Sequence, residues 1–224
     1  MNEDKLSEAL QDYLKEIYKL QEEEGRAMTS AIAKRLAVAA PSVTAMLKKL
    51  MGLGLVEHQP YRGAVLTAAG EKVAIEMIRH HRLLEQYLTE RLGLGIDAVH
   101  DEAHRLEHVL SEEVEARIDE SLGYPTHDPH GDPIPNSDLK VAPSTLRALA
   151  SLEPGEEATV GRVPDGQPEL LRYLASLALV PGSRVKLSKR APLGGPLTVI
   201  VDGRRHAIAE DVALQIGVSS SVPR

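Results

Sequence analysis

The sequence predicts a mainly helical chain with small β elements: a winged helix-turn-helix, a helical middle domain and a small β-barrel. Three observations predict this fold class. Apolar residues recur at helical spacing through much of the first half of the chain. Two short runs near residue 60 alternate like a hairpin, and similar runs prevail after residue 145. We therefore place the domains at 1–75, 76–143 and 144–224.

The amino-acid composition excludes several kinds of site and a membrane-spanning segment. The 224 residues are enough for two or three small domains, but they include no Phe, Trp or Cys. The absence of Cys excludes disulfides, Cys-type zinc sites, iron–sulfur clusters and a thiol nucleophile, so any metal must be held by nitrogen and oxygen ligands. No apolar run approaches the roughly 20 residues needed to span a bilayer, and the first ten residues are too charged for a signal peptide. We expect a cytoplasmic protein.

The net charge of −7 is spread unevenly along the chain. Residues 26–82 carry nine Lys/Arg against three Asp/Glu, whereas residues 83–140 carry four against fourteen. A basic segment beside an acidic one is typical of a DNA-binding element joined to a cation-binding element. The charge of the whole chain therefore does not argue against nucleic acid.

A first helix is predicted over Leu6–Glu24, where apolar residues follow the spacing of one buried stripe. Gly25 supplies its stop. Asp12 lies beside the stripe, and a carboxylate at the edge of a buried face is either a solvated acid or a recruited ligand.

A winged helix-turn-helix is predicted next. A short helix capped by Thr29 or Ser30 leads through a turn to a second helix with Pro41 in its first turn. Two strands follow, in LVEHQ and AVLTA, joined by the turn PYRG. Helix, turn, helix and hairpin in this order predict the winged fold.

The second helix of this motif has the chemistry of a DNA reader. Small and polar side chains near its N-terminus can approach base edges and phosphates, and lysines follow for the backbone. The alternative is a winged helix used for protein contacts, and the local positive charge favours DNA. The residues expected to contact DNA are Thr29, Ser30, Pro41, Ser42, Thr44, Lys48, Lys49 and Arg62.

The stretch HDEAHRLEH, from His100 to His108, has a histidine at every fourth position. Residues four apart share one face of a helix. His81 and Glu85 repeat this spacing upstream, and five of the nine histidines lie between residues 80 and 108. A single histidine is usually an ordinary surface or core residue, but this clustering predicts a site for Mn, Fe(II), Co, Ni or Zn.

The middle of the chain also predicts a homodimer. A helix over Glu71–Leu92 is followed by a second long helix over 98–122 with an extended apolar face. Palindromic DNA favours two-fold symmetric readers, so this face suggests helix-mediated dimerisation. The Pro-, Gly- and Asp-rich stretch that follows is predicted to be a linker ending near residue 143, with His127 and His130 as loop histidines without a ligand role.

The last domain is predicted to be a small β-barrel with one helix. LEPGEEATVGRV suggests a strand pair and PELLRYLASLALVPG a short helix. RVKLSKRA, LTVIVDG and RHAIAEDVALQIGV suggest further strands. We recognise no catalytic constellation in this sequence.

With these elements in place, the chain resembles the diphtheria-toxin-repressor family of iron- and manganese-dependent transcriptional regulators over nearly its full length. The segments that carry the resemblance are DYLKEIYKL, RHHRLLEQYLTERLGL, VHDEAHRLEHVLSEEVEARI and GDPIP. The resemblance implies a homodimer, a divalent metal that activates binding to double-stranded operator DNA, and an SH3-like, FeoA-type C-terminal domain.

Carried over by position, the resemblance also implies two metal sites. The primary site would comprise Asp12, His104, Glu107 and His108. The ancillary site would comprise His81, Glu85, His100 and an oxygen ligand from the barrel, Asp165 or else Glu169.

The sequence departs from both branches of the family. Asp12 matches the manganese-responsive branch, and the iron-responsive members carry Met there and Cys at the position of His104. The manganese branch carries Glu at the positions of Lys15 and His104. One barrel-ligand position of the iron-type members falls on Arg162, which cannot bind a cation.

The nitrogen and oxygen set implies Mn(II) in preference to Fe(II), while Zn(II), Co(II) or Cd(II) could occupy the sites in vitro. A metal held by the first and the central helices would fix the spacing of two DNA-reading heads. One alternative is a winged-helix regulator that senses a small organic ligand, with a structural metal. Another is a metallohydrolase, although the sequence has no HExxH. We expect no membrane partner and no organic substrate.

Overall fold

The computed structural model describes residues 6–59 and 62–220, which form two compact units. The first unit contains Met1–His81, Leu106–Glu112 and Pro135–Val141. The second unit contains Arg82–Arg105, Glu113–Ile134 and Ala142–Arg224. Each unit has its own hydrophobic core.

The first unit is a winged helix-turn-helix, as predicted. Its core includes the fully buried Leu14, Ile17, Ile32 and Leu47. The wing is an antiparallel hairpin. Its elements are α1 (Glu8–Glu24), α2 (Thr29–Arg35), α3 (Ala40–Gly52), β1 (Val56–Gln59), β2 (Gly63–Leu66) and the beginning of α4 (Ala68–Leu92).

Local chemistry explains most of these helix ends. Gly25 ends α1 in the left-handed conformation, at φ +75°. Pro41 lies in the first turn of α3 as predicted, where its missing N–H costs no hydrogen bond. The expected cap by Thr29 or Ser30 is wrong, because both are already helical and Met28 is the N-cap residue. The chain arrives there extended from a bridge between Ala27 and Ala64.

The hairpin turn was predicted in PYRG. Its Pro60 and Tyr61 lie outside the described residues, whereas Arg62 forms a turn just before β2. Behind the hairpin, a Cβ on Gly70 of α4 would lie 2.0 Å from the carbonyl oxygen of Leu55. Only glycine allows this close packing of α4 against the start of the wing.

The second long helix is not continuous. The prediction of one helix over 98–122 is wrong, since α5 (Val99–Glu107) ends before His108 and α6 (Glu112–Ser121) begins after Ser111. Ser is a favoured N-cap residue, which suits a new helix start at this point. The break removes the continuous apolar face that was expected here. None of the helices in the described part of the chain is long and apolar enough to cross a membrane.

The second unit contains a six-stranded antiparallel sheet, with the strands in the order β3-β8-β4-β5-β6-β7. Among the described strands β3 and β7 remain edges, so strand pairing does not close the SH3-like sheet into a complete barrel. The elements are β3 (Arg147–Ala148), β4 (Glu157–Arg162), α7 (Pro168–Ser176), β5 (Arg184–Arg190), β6 (Leu197–Val201), β7 (Arg204–Ile208), α8 (Glu210–Gln215) and β8 (Gly217–Ser220).

Two details of this sheet differ from the sequence prediction. The stretch expected to form a strand pair holds only β4, because the preceding EPGE forms a turn. The stretch predicted as the last strand forms β7, α8 and β8, so the part of the chain after residue 144 has two α-helices where one was expected. The short α8 was missed because six residues give too little periodicity to distinguish it from a strand.

Candidate metal centres and DNA-binding surface

The exposed face of α3 carries most of the residues expected to contact DNA. Val43, Leu47 and Leu50 are buried and hold the helix against the core of the first unit. The helical period places other residues of α3 on the side away from this core. The exposed ones among them are Pro41, Ser42, Thr44, Lys48 and Lys49. The hydroxyl of Thr44 donates a hydrogen bond to the carbonyl oxygen of Ala40 over 3.1 Å. A helix with small groups near its N-terminus and lysines further along presents the surface of a groove reader.

The remaining predicted contacts lie on α2 and the wing. Ser30 is exposed and Thr29 half-buried at the start of α2. Arg62 is exposed, and its carbonyl oxygen accepts a hydrogen bond from Nη1 of Arg26 over 3.4 Å. Arg26 thus adds a second guanidinium beside the wing.

Three of the expected primary-site residues meet within the first unit. Asp12, Glu107 and His108 each offer a ligand atom, and these atoms lie within 4.8 Å of one another. Nε2 of His108 lies 3.3 Å from Oδ1 of Asp12 and 3.5 Å from Oε1 of Glu107. Two carboxylates and one imidazole converging on a point form a donor set for a divalent cation. Below we call these three residues the first cluster.

The His108 ring is oriented for this purpose. Its Nδ1 donates to the side-chain oxygen of Gln11 over 2.8 Å, because an amide oxygen can only accept. Nδ1 therefore carries a proton, and Nε2 is directed at the two carboxylates. Metal-binding histidines ordinarily have such a partner on the second ring nitrogen.

Glu107 is the most heavily engaged residue of the first cluster. It is buried, and its Oε2 accepts a hydrogen bond from Nδ1 of His81 over 2.5 Å. Its Oε1 forms an ion pair with the buried ammonium of Lys15. Nδ1 of His80 lies 3.2 Å from its backbone carbonyl oxygen. Sequence reasoning placed His81 in the ancillary set and did not anticipate its contact with Glu107.

His104, the fourth residue expected at the primary site, is exposed on α5 three residues before Glu107.

A second cluster lies within the second unit. Nδ1 of His100 lies 2.8 Å from Oδ1 of Asp165 and 3.3 Å from Oε1 of the buried Glu85. Burial lowers the pKa of His100, but hydrogen bonds to Asp165 and Glu85 outweigh it and raise the pKa to about 10. The two acids thus attract positive charge at this position, which a metal ion would supply in place of the proton.

His130 lies in a loop, as expected, but the fold also brings it beside this second cluster. It is fully buried, and its Nδ1 lies 3.6 Å from Oε2 of Glu85 and 3.9 Å from Oδ1 of Asp165. Its Nε2 donates to the carbonyl oxygen of Ile96 over 2.8 Å. Nδ1 has no hydrogen-bond partner among the described residues. A buried nitrogen that faces two carboxylates from beyond hydrogen-bond distance fits a cation bound between them.

Asp128 was also missed. Glu85, Asp128 and His130 form a further group whose ligand atoms lie within 4.8 Å of one another, and all three are buried. Burial and the nearby Glu85 raise the pKa of Asp128 to about 7. The signal in the sequence is the alternation D-x-H in HDPHGD, which has no helical period. His127, which precedes Asp128, is exposed and contacts the hydroxyl of Thr126.

The loop that carries Asp128 and His130 is tightly constrained. Oδ1 of Asp128 accepts hydrogen bonds from the backbone N–H groups of His130 and Asp132, both over 2.9 Å. Gly131 has φ +92°, and a Cβ there would lie 1.9 Å from the carbonyl oxygen of Gly161. The turn therefore requires glycine and holds the imidazole in place.

The two barrel positions differ in role. Arg162 is not a ligand: its Nε donates to Oδ1 of Asp132 over 2.7 Å and so ties the loop to β4. Asp165 lies in the second cluster, whereas Glu169 is exposed on α7 and belongs to none of the ligand groups found among the described residues. Of the two acids considered from the sequence, Asp165 is the one that the fold brings to the cluster.

Comparison with known proteins places this geometry in a family. The model of the iron-dependent-repressor N-terminal DNA-binding domain matches residues 5–64, and that of the iron-dependent-repressor metal-binding and dimerisation domain matches residues 67–136. The model of the FeoA domain matches residues 147–220. Together these matches cover the winged motif, the central helices and the C-terminal sheet.

Individual proteins are similar over nearly the whole chain. The iron-dependent repressor IdeR of Mycobacterium tuberculosis (strain ATCC 25618 / H37Rv) is 34% identical over 92% of this chain and 93% of its own. The diphtheria toxin repressor of Corynebacterium diphtheriae (strain ATCC 700971 / NCTC 13129 / Biotype gravis) is 32% identical over 92% and 94%.

Solved structures are similar as well. A manganese-dependent transcriptional repressor in complex with manganese has a TM-score of 0.88 and 39% identity, over 94% of this chain and 99% of that one. The manganese regulator SloR has a TM-score of 0.79 and 32% identity, over 95% and 98%. From the winged fold, the clustered ligands and these similarities, the chain belongs to the diphtheria-toxin-repressor family of metal-dependent transcriptional repressors.

Proposed function

We propose that this protein represses transcription by binding operator DNA as a homodimer when a divalent cation, Mn(II) before Fe(II), occupies its first cluster. The observation that carries the proposal is the meeting of Asp12 with Glu107 and His108. Asp12 lies on α1 of the DNA-binding motif, whereas the other two lie at the end of α5 and just after it. A cation bound there would join the motif to a segment remote in sequence.

The first cluster supports a primary metal site. Asp12, Glu107 and His108 supply three ligands, and we propose His104 of α5 as the fourth. Without the cation, two carboxylates face each other with incomplete compensation, so the DNA-binding motif should sample several orientations. A cation that binds one orientation more tightly than the others shifts the population toward it.

The second cluster supports an ancillary metal site. We propose Glu85, His100 and Asp165 as its ligands, with His81 one turn before Glu85 on α4. His130 and Asp128 extend this set beyond the residues expected from the sequence, since both face Glu85. The ancillary ion would hold the 128–132 loop against the helices and β-sheet of the second unit.

The donor atoms support manganese as the preferred metal. Both clusters consist of carboxylate oxygens and imidazole nitrogens without sulfur, a set that suits Mn(II). The similar solved structures include manganese-dependent repressors, whereas the similar curated proteins include iron-dependent ones. Relatives of the same fold have also been solved with Zn²⁺ and Cd²⁺ bound, in keeping with in vitro occupancy by other divalent ions.

The DNA partner follows from the exposed face of α3 and the wing. We propose that Ser42 and Thr44 approach bases and phosphates in the major groove, while Lys48, Lys49 and Arg62 contact the backbone. The winged motifs of two copies of the chain would bind DNA half-sites that are separated by about one turn of the DNA helix or a multiple of one turn. A regulator of operator DNA acts where the chromosome is, so we propose that it works in the cytoplasm.

Dimerisation is supported by the match of residues 67–136 to a metal-binding and dimerisation domain. Within the second unit, α4 and α6 line a groove that includes Leu92 and Val114, both largely exposed. We propose that this apolar surface contributes to the contact between two copies of the chain. The similar proteins are repressors rather than enzymes, and neither a metallohydrolase nor a sensor of an organic ligand finds support in them.

Selection of genomic DNA fragments tests the proposal. The purified protein is incubated anaerobically with fragmented DNA and with Mn(II), with Fe(II) or with a chelator. We expect a palindromic site to be enriched only with metal, and at a lower free concentration of Mn(II) than of Fe(II). Equal enrichment in chelator would refute metal activation, and no enrichment in any arm would refute operator binding.

A further inference from the structure

A buried lysine lies among the proposed primary ligands. Lys15 follows Asp12 by three residues on α1, and its side chain is only 7% exposed. Lysine is almost never this deeply buried unless it is paired. The partner is Oε1 of Glu107, the same oxygen that lies 3.5 Å from Nε2 of His108. The ammonium therefore contacts an atom that a metal ion at this cluster would need.

Fold stability alone is a weak reason for this arrangement. A buried ion pair ordinarily stabilises a fold no more than well-packed apolar side chains of similar size. Leu14, directly before Lys15 on α1, is apolar and fully buried, so the position borders the core, where an apolar residue would be the ordinary occupant if the buried Glu107 were not opposite it. Fold stability alone therefore does not explain the positive charge of Lys15 beside Glu107.

We propose that Lys15 is a built-in cation that competes with the metal ion for Glu107 and thereby sets the metal concentration at which the protein is activated. The inference rests on the proposed function. Lys15 compensates the charge of Glu107 in the metal-free protein, so an incoming ion must displace the ammonium from Oε1. The carboxylates of Asp12 and Glu107 together carry a formal charge of −2, and the ammonium of Lys15 reduces the total to −1. The smaller negative charge attracts a divalent ion less strongly.

Mn(II) affinity of the full-length protein tests this inference. Lys15→Met removes the charge and keeps most of the side-chain volume. Lys19→Met is the matched control, because Lys19 is one turn further along α1 and pairs with Glu16 at 3.5 Å, away from the cluster. Asp12→Ala shows which of the measured Mn(II) sites is the first cluster, namely the site at which this substitution weakens binding. Dissociation constants are measured by calorimetry or by competition with a chelator, without DNA.

At the site where Asp12→Ala weakens binding, Lys15→Met should bind Mn(II) at least about tenfold more tightly than the wild type. Lys19→Met should bind Mn(II) there with unchanged affinity. The unfolding midpoint of metal-free Lys15→Met should fall below that of the wild type, because Glu107 then stays buried with less compensation. Its increase on adding Mn(II) should be larger. If Lys15→Met is too unstable when metal-free, Lys15→Gln, which keeps a hydrogen-bond donor without the charge, should show the same tightening.

Equal or weaker Mn(II) binding by both Lys15 variants would overturn the inference and would mean that Lys15 orients Glu107 for the metal. That result would leave the proposed function intact, provided that Mn(II) still activates DNA binding by the wild type. Absence of an Asp12-sensitive class in the wild type and in the variants would overturn both the inference and the proposed primary site.

Discussion

Gln11 and His108, 97 positions apart in the chain, share a hydrogen bond of 2.8 Å between Oε1 and Nδ1. This bond orients the ring so that Nε2 faces Asp12 and Glu107. Gln11 precedes Asp12 on α1, so adjacent residues of one helix supply a carboxylate of the cluster and the partner that orients its imidazole. The relationship makes α1 part of both the winged helix-turn-helix and the first cluster.

Gln11→Ala should weaken Mn(II) binding at the first cluster by about 10- to 100-fold, because the imidazole loses the partner that holds its tautomer. Calorimetry on the full-length protein measures the change. Glu22→Ala, an exposed substitution on the same helix, is the control and should bind like the wild type. Unchanged affinity in Gln11→Ala would show that His108 is oriented by something else.

Lys48→Ala should weaken binding to operator and random DNA to a similar extent, if Lys48 neutralises a phosphate, as we propose, rather than reading a base. The dependence of log K on log salt should become shallower by about one unit or less. Fluorescence anisotropy over a range of salt concentrations checks both effects. A changed preference among operator sequences would instead assign Lys48 to base contacts.

His130→Ala should remove or weaken one class of Mn(II) binding while the class sensitive to Asp12→Ala persists. The buried Nδ1 of His130 faces Glu85 and Asp165, and its loss removes a proposed ligand. His127→Ala is a matched control in the same loop, because His127 is exposed and outside the cluster. The ancillary assignment fails if the two variants bind the same number of ions with the same affinities.

The metal-free protein should lose stability as the pH rises above about 6.5. Burial lowers the pKa values of His100 and His130, but their acidic neighbours raise them overall, to about 10 and about 9. A histidine with a higher pKa in the folded state stabilises the fold fully below its unfolded value of about 6.5, and this contribution is lost as the pH rises through the folded value.

Asp128 acts in the same direction at lower pH. Burial and Glu85 raise its pKa to about 7, so the folded state holds a proton that the unfolded state releases from about pH 4 upward. The unfolding midpoint in chelator should therefore fall steadily from pH 6.5 to pH 9. Saturating Mn(II) should flatten this trend, because the ion replaces the protons. A midpoint that rises over this range without metal would contradict the protonation states inferred for the second cluster.

The spacing of apolar residues in the sequence was sufficient to predict the helices and strands that have a regular repeat. The buried stripe of α1, the two helices of the winged motif and the alternating strands each repeat with the period of their secondary structure. His81 and Glu85 on α4 were identified for the same reason. The break between α5 and α6 was missed because Leu106, Val109 and Val114 continue a helical pattern across it, although all three are largely exposed.

The unpredicted parts of the candidate sites depend on contacts between remote segments. His130 lies in a loop whose shape comes from Asp128, Gly131 and their backbone contacts, and no helical spacing marks it. The pairing of Lys15 with Glu107 joins residues 92 positions apart. A lysine on the apolar side of a helix appears in the sequence as a simple irregularity, and only the fold shows which charge it meets.

The central claim is that a cation at Asp12, Glu107 and His108 makes the DNA-binding motif competent. The most direct test measures operator affinity with and without Mn(II) for the wild type and for Asp12→Ala, with sedimentation to check that the variant keeps the oligomeric state of the wild type. We predict that Mn(II) tightens operator binding of the wild type at least about tenfold and has little effect on the variant. By linkage, the operator should tighten Mn(II) binding by the same factor. Equal activation of both proteins by Mn(II), or wild-type binding that is as strong in chelator, would contradict the claim.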